Sequence, residues 1–277
     1  MEGSCMDDPI TQISVNNKFY QLTDIIYYTR ETGVYIGHPL EIPKHKYAIK
    51  KPIPKGITYW VIREANTLHQ IMHPNIVRYI DHSEDSEESY LVMELVPDTL
   101  DSLIRDETVS KEVIIKYIEQ MPSFLRIFHH LGIAHTNINP DNLGYDDDGT
   151  IKVLDLSDAV PCHYSVKQKI KSICASVLSP EYLLNGEITP MTDMYCAARV
   201  LECLLFGDYV IAQKPILTLQ EGYKHLPQSF FDLYTDMTKK DPLDRLHIKE
   251  LKKRVDTVVK DLRNIEIFTT DLLTNIK

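Results

Sequence analysis

HTNINPDN, residues 135–142, is a polar stretch that follows the apolar IFHHLGIA and precedes LGYDDDGTIKVLDLS. The apolar segment closes a longer run, KEVIIKYIEQMPSFLRIFHHLG (111–132), that reads as a buried helix. Downstream, two short β-prone runs flank YDDDGT, an acidic turn with a glycine that suits a hairpin. Residues 135–142 therefore read as a loop between a helix and a hairpin, and the chain on either side decides what the loop is for.

Toward the N-terminus the chain is strand-rich. FYQLTDIIYYT (19–29), GVYIG (33–37) and KYAIKKPI (46–53) carry the Tyr, Ile and Val content of strands. ITYWVIREANTLHQIM (57–72) places Trp60, Ala65, Leu68 and Met72 at helical spacing, with HPN as its stop. NIVRYIDHSE and SYLVMELV read as two further strands joined by the acidic EDSEE. After Pro97 the character turns helical, through TLDSLIRDE, the long run at 111–132, SPEYLL, TDMYCAARVLECLLFG, PQSFFDLYTDM and HIKELKKRVDTVVKDLRNI. A small strand-rich lobe followed by a larger helical one is an α+β pattern.

The bulk composition narrows the function classes. The 277 residues are 43% hydrophobic and 25% charged, ordinary for a soluble domain. Thirty Lys and Arg against 40 Asp and Glu leave a formal net charge of −10, which argues against a nucleic-acid or anionic-membrane surface. No apolar run approaches the ~20 residues needed to cross a bilayer, and MEGSCMDDPI does not read as a secretory signal. Five scattered cysteines suit reduced thiols in an intracellular, cytoplasmic setting. Neither they nor the 11 histidines fall at zinc-ligand spacing.

This order of elements, with the motifs below, resembles the eukaryotic protein kinase family over residues 15–255. The resemblance implies a two-lobed fold: a β-rich lobe with one main helix at 15–96, after an N-terminal segment 1–14, then a helical lobe at 97–255. Residues 256–277 are expected to form a C-terminal helical extension, and the stripe Leu251, Val255, Val258, Leu262 and Ile265 to pack this helix against the large lobe or, alternatively, to bind a partner. Lys50, ending YAIK, matches the strand lysine that holds the ATP phosphates, and Glu64 matches its helix partner. Met93 and Glu94 match the segment beside the nucleotide pocket. Gly33 matches the third glycine of the phosphate-covering loop. Asn142 and Asp155 match the two Mg²⁺ ligands. Asp193, Glu181 and Arg245 match residues that hold the fold.

The resemblance breaks where chemistry is expected. Asn137 stands where the family keeps its catalytic Asp, and an amide has neither basicity nor charge to offer a substrate hydroxyl. Asn139 replaces a lysine that neutralises the transferring phosphoryl group. Tyr28 and Arg30 fall where the first two loop glycines belong, Ser157 replaces the glycine of D-F-G, and Thr136 replaces an arginine that receives an activation-loop phosphate. Cys174 stands where a threonine would touch the catalytic Asp, and Tyr164, Ser165, Ser172 and Ser176 lie in that activation loop. Asp141, beside Asn142, is expected to point away from substrate. The losses imply a pseudokinase: a signalling domain that regulates, scaffolds or sequesters an active kinase or its substrate, with ATP and Mg²⁺ as possible ligands. The alternative is an atypical Ser/Thr kinase that still transfers the γ-phosphate.

Overall fold

The computed structural model describes residues 12–53, 58–83, 89–162, 177–207 and 225–265. The chain divides into two compact units between Val96 and Pro97. The activation-loop positions Tyr164, Ser165, Ser172, Cys174 and Ser176 lie outside the described residues.

The first unit is a six-stranded antiparallel sheet: β1 (Gln12–Val15), β2 (Lys18–Tyr28), β3 (Thr32–Pro39), β4 (Tyr47–Pro52), β5 (Tyr79–Ser83) and β6 (Tyr90–Glu94), in the order β1-β2-β3-β4-β6-β5. Alternation sends Ile13, Val15, Tyr20, Leu22, Tyr35, Ile49 and Val92 into one core. Strand β1 is not among the strands expected from the sequence. Its signal was the pair Asn16–Asn17, which closes the β1–β2 hairpin with φ of 48° and 65°, the left-handed pair that a two-residue turn requires.

Helix α1 (Tyr59–Leu68) packs on this sheet through Val61, Glu64, Ala65 and Leu68. The buried stripe is thus shifted from the one expected. Trp60 is half-buried, and Met72 lies beyond the helix, 97% exposed.

The second unit begins with β7 (Asp98–Thr99) and α2 (Leu100–Arg105), and its centre is α3 (Lys111–Leu131). Ser110 caps α3 by accepting from the Val113 amide, and Gly132, at φ 64°, ends it. Tyr117, Ile118, Met121, Phe124, Leu125 and Phe128 are fully buried along α3. The Tyr117 hydroxyl donates to the Ala197 carbonyl at 2.8 Å, tying α3 to the later helix α5. Then come β8 (Ile133–Ala134), β9 (Leu143–Tyr145), β10 (Ile151–Val153), β11 (Val160–Pro161), α4 (Pro180–Asn185), α5 (Pro190–Phe206), α6 (Gln228–Met237) and α7 (Ile248–Arg263). β9 and β10 are the hairpin expected around YDDDGT, with Gly149 at φ 83° in its turn. Helix α7 runs unbroken past Val255 and packs on α3 and α6. Leu251, Val255, Val258 and Leu262 are fully buried, while Ile265 lies past the helix end and is half-buried. Residues 256–263 are therefore the second half of this packed helix, not an element added after it.

One buried ion pair ties α4 to the start of α7. Arg245 grips Glu181 with two parallel hydrogen bonds of 2.7 Å and also donates to the Met191 and Lys239 carbonyls. Burial pushes the Glu181 carboxyl up, but the Arg245 hydrogen bonds and charge, with hydrogen bonds from the Glu181 amide and Ser179, together hold it below its ordinary value of 4.5.

Arg245→Leu leaves that carboxylate buried without its guanidinium and is expected to cost about 3–5 kcal/mol in urea denaturation at about pH 7. A depressed folded-state pKa contributes stability above the unfolded value and loses it as pH falls through the folded one. The gap between wild type and variant should therefore shrink as pH falls below the ordinary carboxylate value of 4.5. A gap independent of pH would contradict the assignment.

Candidate functional site

In the first unit, β4 presents Lys50 from its middle, paired in register with Val34 on β3 and Leu91 on β6. Its ammonium meets the carboxylate of Glu64, on α1, at 2.6 Å. The two side chains are 5% and 0% exposed. Glu64 lies on the apolar face of α1, where a buried charge needs a paired, hydrogen-bonded counter-charge such as this one.

The β2–β3 hairpin differs from the expected phosphate-covering loop. Its tip is Thr29–Arg30–Glu31, with no glycine. Gly33 sits in the ladder itself, opposite Tyr28 and Lys51, and a Cβ there would come within 2.9 Å of the Tyr35 ring. Close packing against Tyr35 explains this glycine. At the tip, the Thr29 hydroxyl accepts from the Glu31 amide at 3.2 Å and the Thr32 amide at 2.9 Å. Backbone amides that could cradle an anion are thus already bonded by a neighbouring side chain. Met93 is buried on β6 opposite Ala48 and Tyr79. The Glu94 carboxylate accepts from the Arg78 amide at 2.8 Å.

In the second unit the loop of residues 135–142 hangs from Asp193 on α5. The two carboxylate oxygens of Asp193 accept the amides of His135 and Thr136 at 2.7 and 2.9 Å. Burial raises the Asp193 carboxyl, while the nearby His135 ring and these amides oppose the shift. The His135 ring donates from Nε2 to the Leu154 carbonyl and accepts the Asn137 amide at Nδ1, which fixes its tautomer. Thr136 adopts φ 67°, and its hydroxyl donates to the Asp158 carbonyl at 3.2 Å.

The asparagines bond to one another. The Asn139 amide donates to both the backbone carbonyl and the side-chain oxygen of Asn137, each at 3.0 Å. Its own oxygen accepts the Asp141 and Asn142 amides, capping the 3₁₀ turn Pro140–Asn142. Asn139 is 3% exposed, a buried cap at the position where the kinase resemblance places a lysine. The Asn142 amide nitrogen donates to the Asn137 carbonyl at 2.9 Å, leaving Oδ1 as its acceptor atom. Asp141 turns toward α2: burial first, then the charge of Asp101 and a hydrogen bond to it, push its carboxyl up to about 6. It is engaged there and takes no place beside Asn137.

Asp155 is brought next to Asn142, because the Leu154 amide donates to the Asn142 carbonyl at 2.9 Å. Asp155 has φ 54° and ψ 73° and caps the 3₁₀ turn Leu156–Asp158. Its Oδ1 accepts from the Ser157 hydroxyl at 2.7 Å and the Ser157 amide at 3.4 Å. In the sequence Ser157 stands out only as a replaced glycine, and nothing there signals these bonds.

The family model of the protein kinase domain matches residues 41–255. The chain belongs to the protein kinase family. Its strand-rich and helical units are the two lobes of that α+β fold. A probable myosin light chain kinase from Dictyostelium discoideum is 26% identical over 84% of this chain and 52% of that protein. The serine/threonine-protein kinase PrkC of Bacillus subtilis is 30% identical over 68% and 32% respectively. The SNF1-related protein kinase catalytic subunit alpha KIN12 of Arabidopsis thaliana is 26% identical over 76% and 45%. The chain spans about half or less of the length of these relatives.

Protein kinase domains use ATP and Mg²⁺, and the described residues fit these ligands in part. The buried Lys50–Glu64 pair and the Asn142 oxygen are suited to them. The Thr29-capped hairpin offers little phosphate cover, and one Asp155 oxygen is already bonded. Among the described residues, no group of three or more His, Cys, Asp and Glu could hold a metal ion, and no helix is long and apolar enough to cross a membrane.

Glu64→Ala takes from the buried Lys50 ammonium the carboxylate it meets at 2.6 Å and should cost about 3–5 kcal/mol. The double variant Lys50→Met, Glu64→Leu removes both charges at similar volume and should regain most of that loss. Urea denaturation of the three proteins checks this; a double variant as unstable as Glu64→Ala would show that the pair is not the source of the effect.

Proposed function

We propose that this chain is a nucleotide-binding kinase domain impaired in phosphoryl transfer, a pseudokinase that acts by engaging a protein partner, either an active signalling kinase or its substrate. The observation that carries the reading is Asn137. It stands at the position of the family's base, its side-chain oxygen accepts a hydrogen bond from Asn139, and its amide group cannot take up a substrate proton. Loss of a general base costs about 10²–10⁴-fold. Asn139, buried as a cap, adds no cation to stabilise the transferring phosphoryl group.

The nucleotide part of the proposal rests on Lys50 and Glu64, a charge pair arranged to hold phosphates, with Asn142 and Asp155 as candidate Mg²⁺ ligands. ATP bound in this way would act as a structural ligand, because a ligand that prefers the folded state stabilises it. The net charge of −10 and the scattered cysteines support a cytoplasmic, protein-directed role rather than one on nucleic acid.

A second reading, an active Ser/Thr protein kinase, is favoured by the comparisons, since the relatives are named as kinases and several as Ser/Thr kinases. The intact Lys50–Glu64 pair is compatible with it.

Thermal unfolding with Mg²⁺ and ATP tests nucleotide binding. ATP at about a hundred times its Kd should add about 2.7 kcal/mol, and Lys50→Ala should abolish the shift. No shift would sink the nucleotide part of the proposal. Radiolabelled γ-phosphate transfer separates the two readings. The proposal expects background signal, whereas robust transfer that Asn137→Ala lowers would establish the active enzyme in its place.

A further inference from the structure

We infer that the outer face of helix α7 is a docking surface for an acidic segment of a partner protein. The inference rests on the reading that the chain engages a protein partner, and it holds whether or not the chain transfers phosphate.

The face follows from the way the helix is packed. Leu251, Val255, Val258 and Leu262 are fully buried where α7 meets α3 and α6, so its apolar stripe is used for packing. At about 3.6 residues per turn, the opposite side carries Lys249, Lys252, Lys253, Asp256, Lys260 and Arg263, all of them exposed. That is five cations to one acid, in a chain whose formal net charge is −10. Glu250 is exposed on the flank of this stripe. Lys252 pairs with Asp256 one turn on, and Arg263 pairs with Glu119 of α3 at 2.6 Å. Lys249, Lys253 and Lys260 form no ion pair among the described residues.

Helix stability does not account for these three lysines. Lys249 lies in the first turn of α7, where the helix dipole disfavours a cation. Lys252 and Lys253 follow it by three and four residues, spacings at which like charges repel and opposite charges stabilise. Residues chosen for the helix alone would place an acid at one of these positions. A local rule broken in this way points to a site.

Carboxylates on a partner are the complement. Along the axis Lys249 and Lys253 stand about 6 Å apart, and Lys253 and Lys260 about 10.5 Å. Alternate side chains of an extended segment recur about every 6.6 Å. Glu or Asp at every second residue therefore brings a carboxylate near each ammonium, and the flexible lysine stems take up the difference. At about 0.1 M salt the screening length of about 10 Å hides the more distant acids of the chain, so the stripe acts on what touches it. The stripe holds no aromatic ring on which a base would stack and no apolar side chain to enter a bilayer.

The test is fluorescence anisotropy of a labelled peptide of alternating Glu and Ser, titrated with the full chain at about 0.1 M salt. Four proteins are compared: wild type; Lys249→Gln with Lys253→Gln; Lys249→Arg with Lys253→Arg; and Lys44→Gln with Lys46→Gln, an equal charge loss at exposed positions of the other unit. The α7 Gln variant is expected to bind about fivefold or more weakly, since exposed ion pairs contribute modestly each, while the Arg variant and the Lys44, Lys46 control stay within about twofold of wild type. Its melting temperature should be no lower than wild type's, because a like-charge pair has been removed, so the weaker binding is not a loss of fold. An unchanged Kd in the α7 Gln variant, an equal loss in the control, or no binding by wild type overturns the inference. Tighter binding of duplex DNA or of phosphatidylserine vesicles than of the peptide also overturns it and gives the stripe to that partner. None of these results decides the proposed function, which the nucleotide and γ-phosphate transfer assays read separately.

Discussion

Asp193 is the constraint on which the second lobe's loop depends. It is a fully buried carboxylate whose two oxygens hold consecutive backbone amides, those of His135 and Thr136. That grip keeps Thr136, a β-branched residue, at φ 67°, a conformation that costs on the order of 1–3 kcal/mol. From there the chain of contacts runs through the His135 ring to the Leu154 carbonyl, and through the Leu154 amide to Asn142. Position 137 and the neighbours Asn142 and Asp155 take their places as consequences of one buried acid on α5. The Arg245–Glu181 pair does comparable work for α4.

The frame of a kinase is kept while the atoms at its reactive positions are turned inward. At the β2–β3 hairpin the Thr29 hydroxyl occupies the tip amides. In the loop the Asn139 side chain occupies the Asn137 oxygen and caps the turn that follows. After β10 the Ser157 hydroxyl occupies Asp155. Each substitution supplies from the chain itself a hydrogen bond that a ligand could otherwise make. Under the function proposed here, a domain satisfied in this way would work by binding rather than by turnover.

Much of this was legible in the sequence, and the reasons for the gaps are local. Lys50 and Glu64 were paired through the resemblance of YAIK and the following helix to the kinase family's strand lysine and its helix glutamate. The α7 stripe followed from three- and four-residue spacing, which also carried Leu251 to Leu262 correctly into the core. β1 escaped because four residues give too little alternation to stand out, although Asn16–Asn17 marked its turn. Met72 was misplaced because α1 stops one turn earlier than its apolar pattern suggests. At Gly33 the folded chain adds a packing reason that the sequence did not show, since a Cβ there would meet the Tyr35 ring at 2.9 Å. The roles of Asn139 and Ser157 depend on side-chain rotamers that only the folded backbone selects.

The most direct test of the central claim is γ-phosphate transfer by Asn137→Asp beside the wild type, with a basic Ser/Thr protein as acceptor. The carboxylate has nearly the shape of the amide and can accept the same Asn139 hydrogen bond, so the fold is left as it is. The account predicts background transfer by the wild type and a rise of at least about tenfold in Asn137→Asp, within the range a general base supplies. Transfer by Asn137→Asp no higher than that of wild type would contradict it, because the chemistry at position 137 would then not be what limits this protein.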